Sequence, residues 1–306
     1  MIISASRRTD IPAFYTPWLL QRLREGYACV RNPVNPRQVS RVALTPDVVD
    51  GVVLWTKNPA PLLPHLDALR EYLYIFQFTL TSYGRDLEPG VPSKNDVLIP
   101  AFQELARRIG PERMIWRYDP ILFTPVYTPE YHLHWFAKLA RRLSGCTHRC
   151  VISFVDMYRA IVPAMREIGL CSLQEEQLRA FAGALAGIAR DCGMAVETCA
   201  EKIDLEDVGV RHGHCIDAAH FEQLLGSALK LSRDPNQREE CGCAASIDIG
   251  AYDTCPAGCL YCYARHTHAA LAANRAAHDP ASPLLYGHLT AQDSVKEREV
   301  RPLRRV

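Results

Sequence analysis

The sequence predicts an α/β fold built on a parallel-stranded barrel or open sheet. Two observations lead to it. Short apolar runs rich in Val, Ile and aromatic residues recur along the chain, and stretches with apolar residues at three- and four-residue spacing lie between them. Runs of this kind suit strands buried on both faces, as in a parallel sheet. Composition agrees: 48% of the 306 residues are hydrophobic and 23% charged, which suits a protein with a large core. This length holds one large barrel or two ordinary domains.

The expected strands are residues 2–6, 52–56, 73–81, 114–118, 151–155, 195–199 and 245–249. The expected helices are 18–25, 62–73, 99–109, 131–143, 173–192 and 261–277. Thr128-Pro129-Glu130 is a helix start, with Thr128 as N-cap and Pro129 at the first helical position. Ser172 opens the following helix, with Glu175 in the capping-box position. Residues 85–95, bordered by Gly84 and holding Pro89, Gly90 and Pro92, form a long loop after a strand end, where such sheets build their active sites. The expectation is a single unit over 1–290, with a cysteine-rich region at 199–262. A polar tail at 291–306, charged from Lys296 to Arg305, packs and then frays.

A formal net charge of +1 provides no global field for nucleic acid or membrane. No apolar run approaches the ~20 residues that span a bilayer. The opening MIISASRRTD lacks the long apolar stretch of a secretory signal. The reading is a cytoplasmic protein with no membrane partner.

Twelve cysteines in a reducing compartment point to metal or redox chemistry wherever they cluster. Cys29, Cys146, Cys150, Cys171 and Cys192 are scattered; the other seven fall between Cys199 and Cys262. The strongest motif is Cys255-Pro-Ala-Gly-Cys259-Leu-Tyr-Cys262. Three thiolates at C-x3-C-x2-C spacing match three irons of a cubane and leave the fourth open, whereas electron-transfer clusters use four cysteines. Gly258 permits the tight turn. A zinc ribbon completed by Cys241-Gly-Cys243 is the competing reading. The second set, Cys199, Cys215, Cys241 and Cys243, suits an auxiliary [4Fe–4S] cluster or a tetrahedral zinc; the plainer alternative is buried free thiols. Cys146 and Cys150 with His148 have metal-like spacing too, but they flank a helix end and a strand start, and a structural role is favoured.

The motif C-x3-C-x-aromatic-C resembles the signature of the radical SAM superfamily, with Tyr261 as the aromatic. The resemblance implies that the open iron chelates S-adenosylmethionine, and that an electron from the reduced cluster yields methionine and a 5′-deoxyadenosyl radical. It also implies an electron donor such as flavodoxin or ferredoxin. From ISASRRTDIP through CGC-AASIDIG-Y-TC to CLYCYA the chain is similar to the domain-of-unknown-function 1848 family. In most of the superfamily the cluster loop follows the first strand; here it follows the seventh expected one. Read from the cysteine loop and wrapped round to residue 1, the segments run CLYCYA, ISASRRTD, WTKNP, FQFTLTS, RYDPI, an order similar to the spore photoproduct lyase branch. The implied fold is a radical SAM (β/α) barrel or partial barrel, circularly permuted so that its cluster loop is C-terminal.

Polar residues after the strands then become candidates for cofactor and substrate contacts. The same resemblance implies that Lys57 pairs with the carboxylate of S-adenosylmethionine. Thr79 and Thr81 share one strand face and could hydrogen-bond the cofactor. Arg117 and Asp119 suit an ion pair or a carboxylate site. Ser4, Ser6, Arg7, Arg8 and Asp10 crowd the first strand end, more than a turn needs. Glu197 and Asp248 are expected in strands and must be paired or functional; Glu201 lies just beyond. Tyr252 and Tyr263 flank the cysteine loop as packing residues. The substrate class stays open between a small molecule, a peptide and a nucleic-acid-derived group. The alternatives are a non-catalytic zinc- or iron–sulfur-binding interaction module, and a barrel hydrolase using Asp or Glu with a divalent ion.

Overall fold

A computed structural model describes residues 1–238, 240–300 and 303. Among these, the strands in chain order are β1 (Ile2–Ala5), β2 (Tyr27–Arg31), β3 (Gln38–Ala43), β4 (Gly51–Thr56), β5 (Tyr74–Thr79), β6 (Met114–Ile121), β7 (Arg149–Phe154), β8 (Ala195–Cys199), β9 (Val210–Gly213), β10 (Ile247–Asp248) and β11 (Ser294–Glu297). Eight of them form one sheet in the order β10-β1-β4-β5-β6-β7-β8-β9, and every pairing in it is parallel. The strands β9 and β10 stand at its two ends. The fold is therefore α/β with a large parallel sheet, compatible with a partial barrel.

Alternation along the strands separates two packing layers. Ile3, Leu54, Phe76, Phe78 and Trp116 belong to the larger core, shared with Phe102, Phe136 and Leu185 of the covering helices. Ile2, Val53, Ile75, Ile115 and Val151 point to the other face, against Ile216, Phe221, Leu229 and the thiols of Cys215, Cys241 and Cys243. The second cysteine set thus lies, together with Phe221 of the short helix Ala218–Leu225, in the apolar layer opposite the three helices that supply Phe102, Phe136 and Leu185.

The helix Ile99–Ile109 has the bounds its periodicity predicts. The helix Pro129–Leu143 starts as expected, with the Thr128 side chain accepting from the Tyr131 N–H. The next begins later than expected, at Glu175, and its capping box is Gln174 with Gln177. The Ser172–Glu175 box is overturned because Cys171 is held extended in an antiparallel bridge to Phe123. Residues 62–73 give only a 3₁₀ segment, Leu63–Leu69, with Pro64 at its start. The expected helix 261–277 is confined to His268–Ala276. Before it, Asp253 accepts from the backbone N–H groups of His266 and Thr267 and contacts the His266 ring, which keeps the chain in turns.

A small sheet, β11-β3-β2, goes beyond the expected strands. It makes part of the supposed tail a strand, β11, parallel to β3. Nearby, the Trp18 indole N–H donates to the carbonyls of Ser282 and Leu284, both at 3.0 Å. The expected fraying falls on residues 301, 302 and 304–306, outside the described residues. No described helix is long and apolar enough to cross a membrane.

Candidate functional site

Parallel strands deliver their loops to one edge of the sheet, and β10 delivers the cysteine loop beside β1. Asp248 joins the two: its carboxylate accepts from Ser4 Oγ at 3.0 Å, from Ser6 Oγ, from the Arg7 N–H at 2.8 Å and from the Gly250 N–H at 2.9 Å. This pairing accounts for a carboxylate in a strand. Ser4 is fully buried and its oxygen also accepts from the Trp55 indole N–H at 3.1 Å. Its hydroxyl is thus engaged by the scaffold.

Cys259 is buried, and Cys255 and Cys262 are half-buried on the same loop. Cys259 and Cys262 lie within electrostatic reach of Cys255, and Cys262 of Cys259. Burial dominates, pushing Cys259 up to about 12 and raising Cys255 and Cys262 as well. Gly258 takes a φ of +74° in the turn between the first two cysteines, a conformation that favours glycine.

The loop is gripped from outside by the segment after β5. The Gly90 N–H donates to the Ala257 carbonyl at 2.9 Å, and the Leu260 N–H to the Leu87 carbonyl at 3.0 Å. Between these bonds sits Glu88, 2% exposed. Its Oε1 accepts from Lys57 Nζ at 2.8 Å, from Thr81 Oγ1 at 2.7 Å and from the Tyr261 hydroxyl. Its Oε2 accepts from Lys94 Nζ at 2.9 Å. Lys57 Nζ also donates to the Tyr261 hydroxyl at 3.0 Å. Burial alone would raise the Glu88 pKa, but Lys57 and Lys94 outweigh it and hold the carboxyl at about 2. Burial likewise opposes the charge on Lys57, yet Glu88 and Cys259 turn the net shift upward.

Lys57, Thr81 and Tyr261 are therefore brought together around Glu88, a residue the sequence did not single out. Thr79 ends β5, half-buried, in register with Arg117.

Asp10 lies behind the same loop. Its carboxylate caps Ala13 N–H at 3.0 Å and accepts from the Lys57 N–H at 2.7 Å. Burial outweighs these donors and raises its pKa to about 6. A raised carboxyl pKa favours the folded state below the unfolded value near 3.8, and this contribution disappears as pH climbs through about 6. Asp10→Asn is expected to flatten the fall in unfolding free energy between those two pH values. Urea titrations across that range check it; an unaltered slope would assign the titration to another group.

The second cysteine set also converges. Cys199 Sγ lies 2.7 Å from Cys215 Sγ. Cys215, Cys241 and Cys243 are buried in one packing layer, and the Ile216 N–H donates to Cys243 Sγ at 3.5 Å. All twelve cysteines are free thiols. Arg117 reaches this group with Nη1, 2.9 Å from Cys215 Sγ, while its other nitrogens hold Asp119. The expected Arg117–Asp119 pair is present, and it faces sulfur. Cys199 and Cys243 lower Cys215 well below the usual thiol range, helped by Arg117 against the effect of burial. Among the described residues no group of three or more His, Cys, Asp or Glu side chains is set around a single ion position.

The remaining candidates have ordinary partners. Glu197 is paired with Arg149 at 2.6 Å and Arg211 at 2.9 Å. Glu201, just past β8, accepts from the Phe154 N–H at 2.8 Å, and burial raises it to about 7. Tyr263 donates to the Arg7 carbonyl at 2.8 Å and leans on Tyr158; Tyr252 lies under Arg8 and beside His266. Cys150 is buried within β7, and Cys146 is half-buried before it. A cavity of about 660 Å³ is lined by Leu20, Leu23, His65, Ala68 and Tyr72 among others, and by no residue of either thiol group.

The structure defines an α/β protein whose strand-end polar side chains and two groups of thiols meet on one parallel sheet. The chain belongs to the family described as Domain of unknown function (DUF1848), which it matches over residues 2–264, a span that includes both groups. No curated protein matches it.

Proposed function

We propose that the chain is a radical SAM enzyme. The observation that carries this reading is the loop itself: Cys255, Cys259 and Cys262 share one short loop after a parallel strand, with Tyr261 between two of them clamped by Glu88 and Lys57. The donor set fits the group, because three thiols on one loop suit three irons and leave one iron for another ligand. Cys255, Cys259 and Cys262 would hold it. When bound, a reduced [4Fe–4S] cluster with S-adenosylmethionine supplies the electron that splits the C–S bond, giving methionine and a 5′-deoxyadenosyl radical.

The chain's own residues orient and shield. Glu88 fixes the Tyr261 hydroxyl, and the Tyr261 ring rests at 5.6 Å from that of Tyr83, closing the rear of the loop to water. Lys57 brings a cation near Cys259. The expected supports for S-adenosylmethionine are Ser4 on β1, Thr79 at the end of β5, Thr81 just beyond it and Arg117 on β6. Thr81 does not share the strand face of Thr79. Ser4, Thr81 and Arg117 are held by protein partners, and Thr79 is the candidate retained. Glu201, with a pKa near neutrality, can hold or move a proton. A permuted order of strands is supported by the pairing of β10 with β1. A small one-electron carrier of the flavodoxin or ferredoxin class is the proposed donor, in a reducing cytoplasm.

Anaerobically reconstituted protein with dithionite and S-adenosylmethionine is expected to form 5′-deoxyadenosine, and Cys259→Ala is expected to form none. Wild-type protein carrying a full cluster yet releasing no 5′-deoxyadenosine would overturn the proposal, as would a loop holding zinc alone.

A further inference from the structure

We propose that Cys199, Cys215, Cys241 and Cys243 form a second, independent metal–tetrathiolate centre, with Arg7, Arg117 and His214 as its surrounding donors. Three separate segments bring these thiols to one side of the sheet: Cys199 ends β8, Cys215 follows β9, and Cys241 and Cys243 precede β10. Free thiols buried for packing have no need of cationic neighbours. Here Arg117 Nη1 lies 2.9 Å from Cys215 Sγ, and Arg7 is within electrostatic reach of Cys243 and Cys215. Both guanidiniums lie on the Trp55 ring, at 5.0 Å and 5.2 Å from its centroid. Four thiolates around one zinc, or around a [4Fe–4S] cluster in its 2+ state, leave a net charge near −2. Arg7 and Arg117 offset part of it, Arg117 being shared with Asp119.

A second observation points to a missing acceptor. Among the described residues, Arg7 Nη2, His214 Nδ1 and Ser246 Oγ are buried with no hydrogen-bond partner. All three belong to segments that border the four thiols. The His214 ring presses on the backbone between Cys241 and Cys243: a Cβ at Gly242 would stand 2.3 Å from His214 Nδ1. Metal-bound thiolates accept N–H and O–H donors, and such outer contacts orient the ligands. The sulfurs as placed are crowded rather than tetrahedral. With metal–sulfur bonds of about 2.3 Å, a tetrahedron has sulfur edges of about 3.8 Å, so Cys199 and Cys215 must part by roughly 1 Å to admit one ion, and further for a cluster.

This inference does not rest on the radical SAM reading, and a variant separates the two. Cys255→Ala/Cys259→Ala/Cys262→Ala removes the loop thiols. That protein, purified anaerobically, is expected to retain about one zinc, or about four irons with matching sulfide, per chain. Colour distinguishes the two occupants, zinc being colourless and iron–sulfur brown. Adding Cys241→Ala/Cys243→Ala is expected to abolish that retention. Should these variants fail to fold, mass-mapped alkylation of the full wild-type chain gives a second measure. The four thiols are expected to be protected until a chelator is added. Metal-free triple variant, four thiols alkylated at once in the wild type, or a Cys199–Cys215 disulfide in place of metal would each overturn the proposal.

Discussion

Glu88→Ala is expected to destabilise the protein by about 3–5 kcal/mol, the cost of stranding buried charge when one partner of an ion pair is removed. Lys57 and Lys94 both direct their ammonium groups at this carboxylate, and their side chains are only 17% and 21% exposed. Thr81 and Tyr261 would lose their acceptor as well. Glu88→Gln keeps the shape and one acceptor oxygen, so a smaller loss is expected. Adding Lys57→Met to Glu88→Ala is expected to recover part of the loss by removing one of the stranded cations. Urea unfolding followed by circular dichroism measures all three. A Glu88→Ala loss below about 1 kcal/mol, the range of exposed pairs, would show that both lysines turn to water and that Glu88 is no hub.

Gly90→Ala carries the next largest effect. A Cβ there would lie 2.7 Å from the Ala257 carbonyl oxygen and 3.1 Å from the Ala257 Cα and carbonyl carbon. All three are backbone atoms of the cysteine loop, so no side chain can swing aside. The expected cost is about 1–3 kcal/mol of overpacking; under the proposed function iron retention falls as well, because relief requires moving Ala257, two residues before Cys259. Gly187→Ala, within the helix Glu175–Asp191, meets only the tip of Arg190 at 3.9 Å. It is expected to be neutral or to stabilise by about 0.5–1 kcal/mol. Thermal unfolding with iron analysis compares the two; equal iron contents would remove the claim that Gly90 holds the loop in place.

The central sheet was legible because its strands are buried on both faces. The runs behind β1, β4, β5, β6, β7 and β8 are apolar almost throughout, and the parallel arrangement follows from the helical stretches between them. At the edge the signal fades: β9 is Val-Arg-His-Gly, with two exposed side chains in its middle. The strands β2 and β3 pair locally, but β11 joins β3 from more than 250 positions away, which local periodicity does not register. The two thiol groups stood out by density and spacing, and the grouping of Cys199 with Cys215, Cys241 and Cys243 matches their convergence in space. Glu88 did not stand out. Its meaning depends on Lys57 and Tyr261, 31 and 173 positions distant, and within Asp-Leu-Glu-Pro-Gly it reads as an ordinary loop carboxylate.

The pairing of β1 with β10 also sets a timetable for biosynthesis. Ser4 and Asp248 are 244 positions apart, so at ~5–20 residues per second a ribosome takes roughly 12–50 s to deliver the second after the first. Throughout that interval one flank of β1 offers unpaired amide and carbonyl groups, a hazard for stray association. Cys255, Cys259 and Cys262 leave the exit tunnel after every strand of the parallel sheet. The metal proposed for them could bind only once the nascent scaffold is nearly whole.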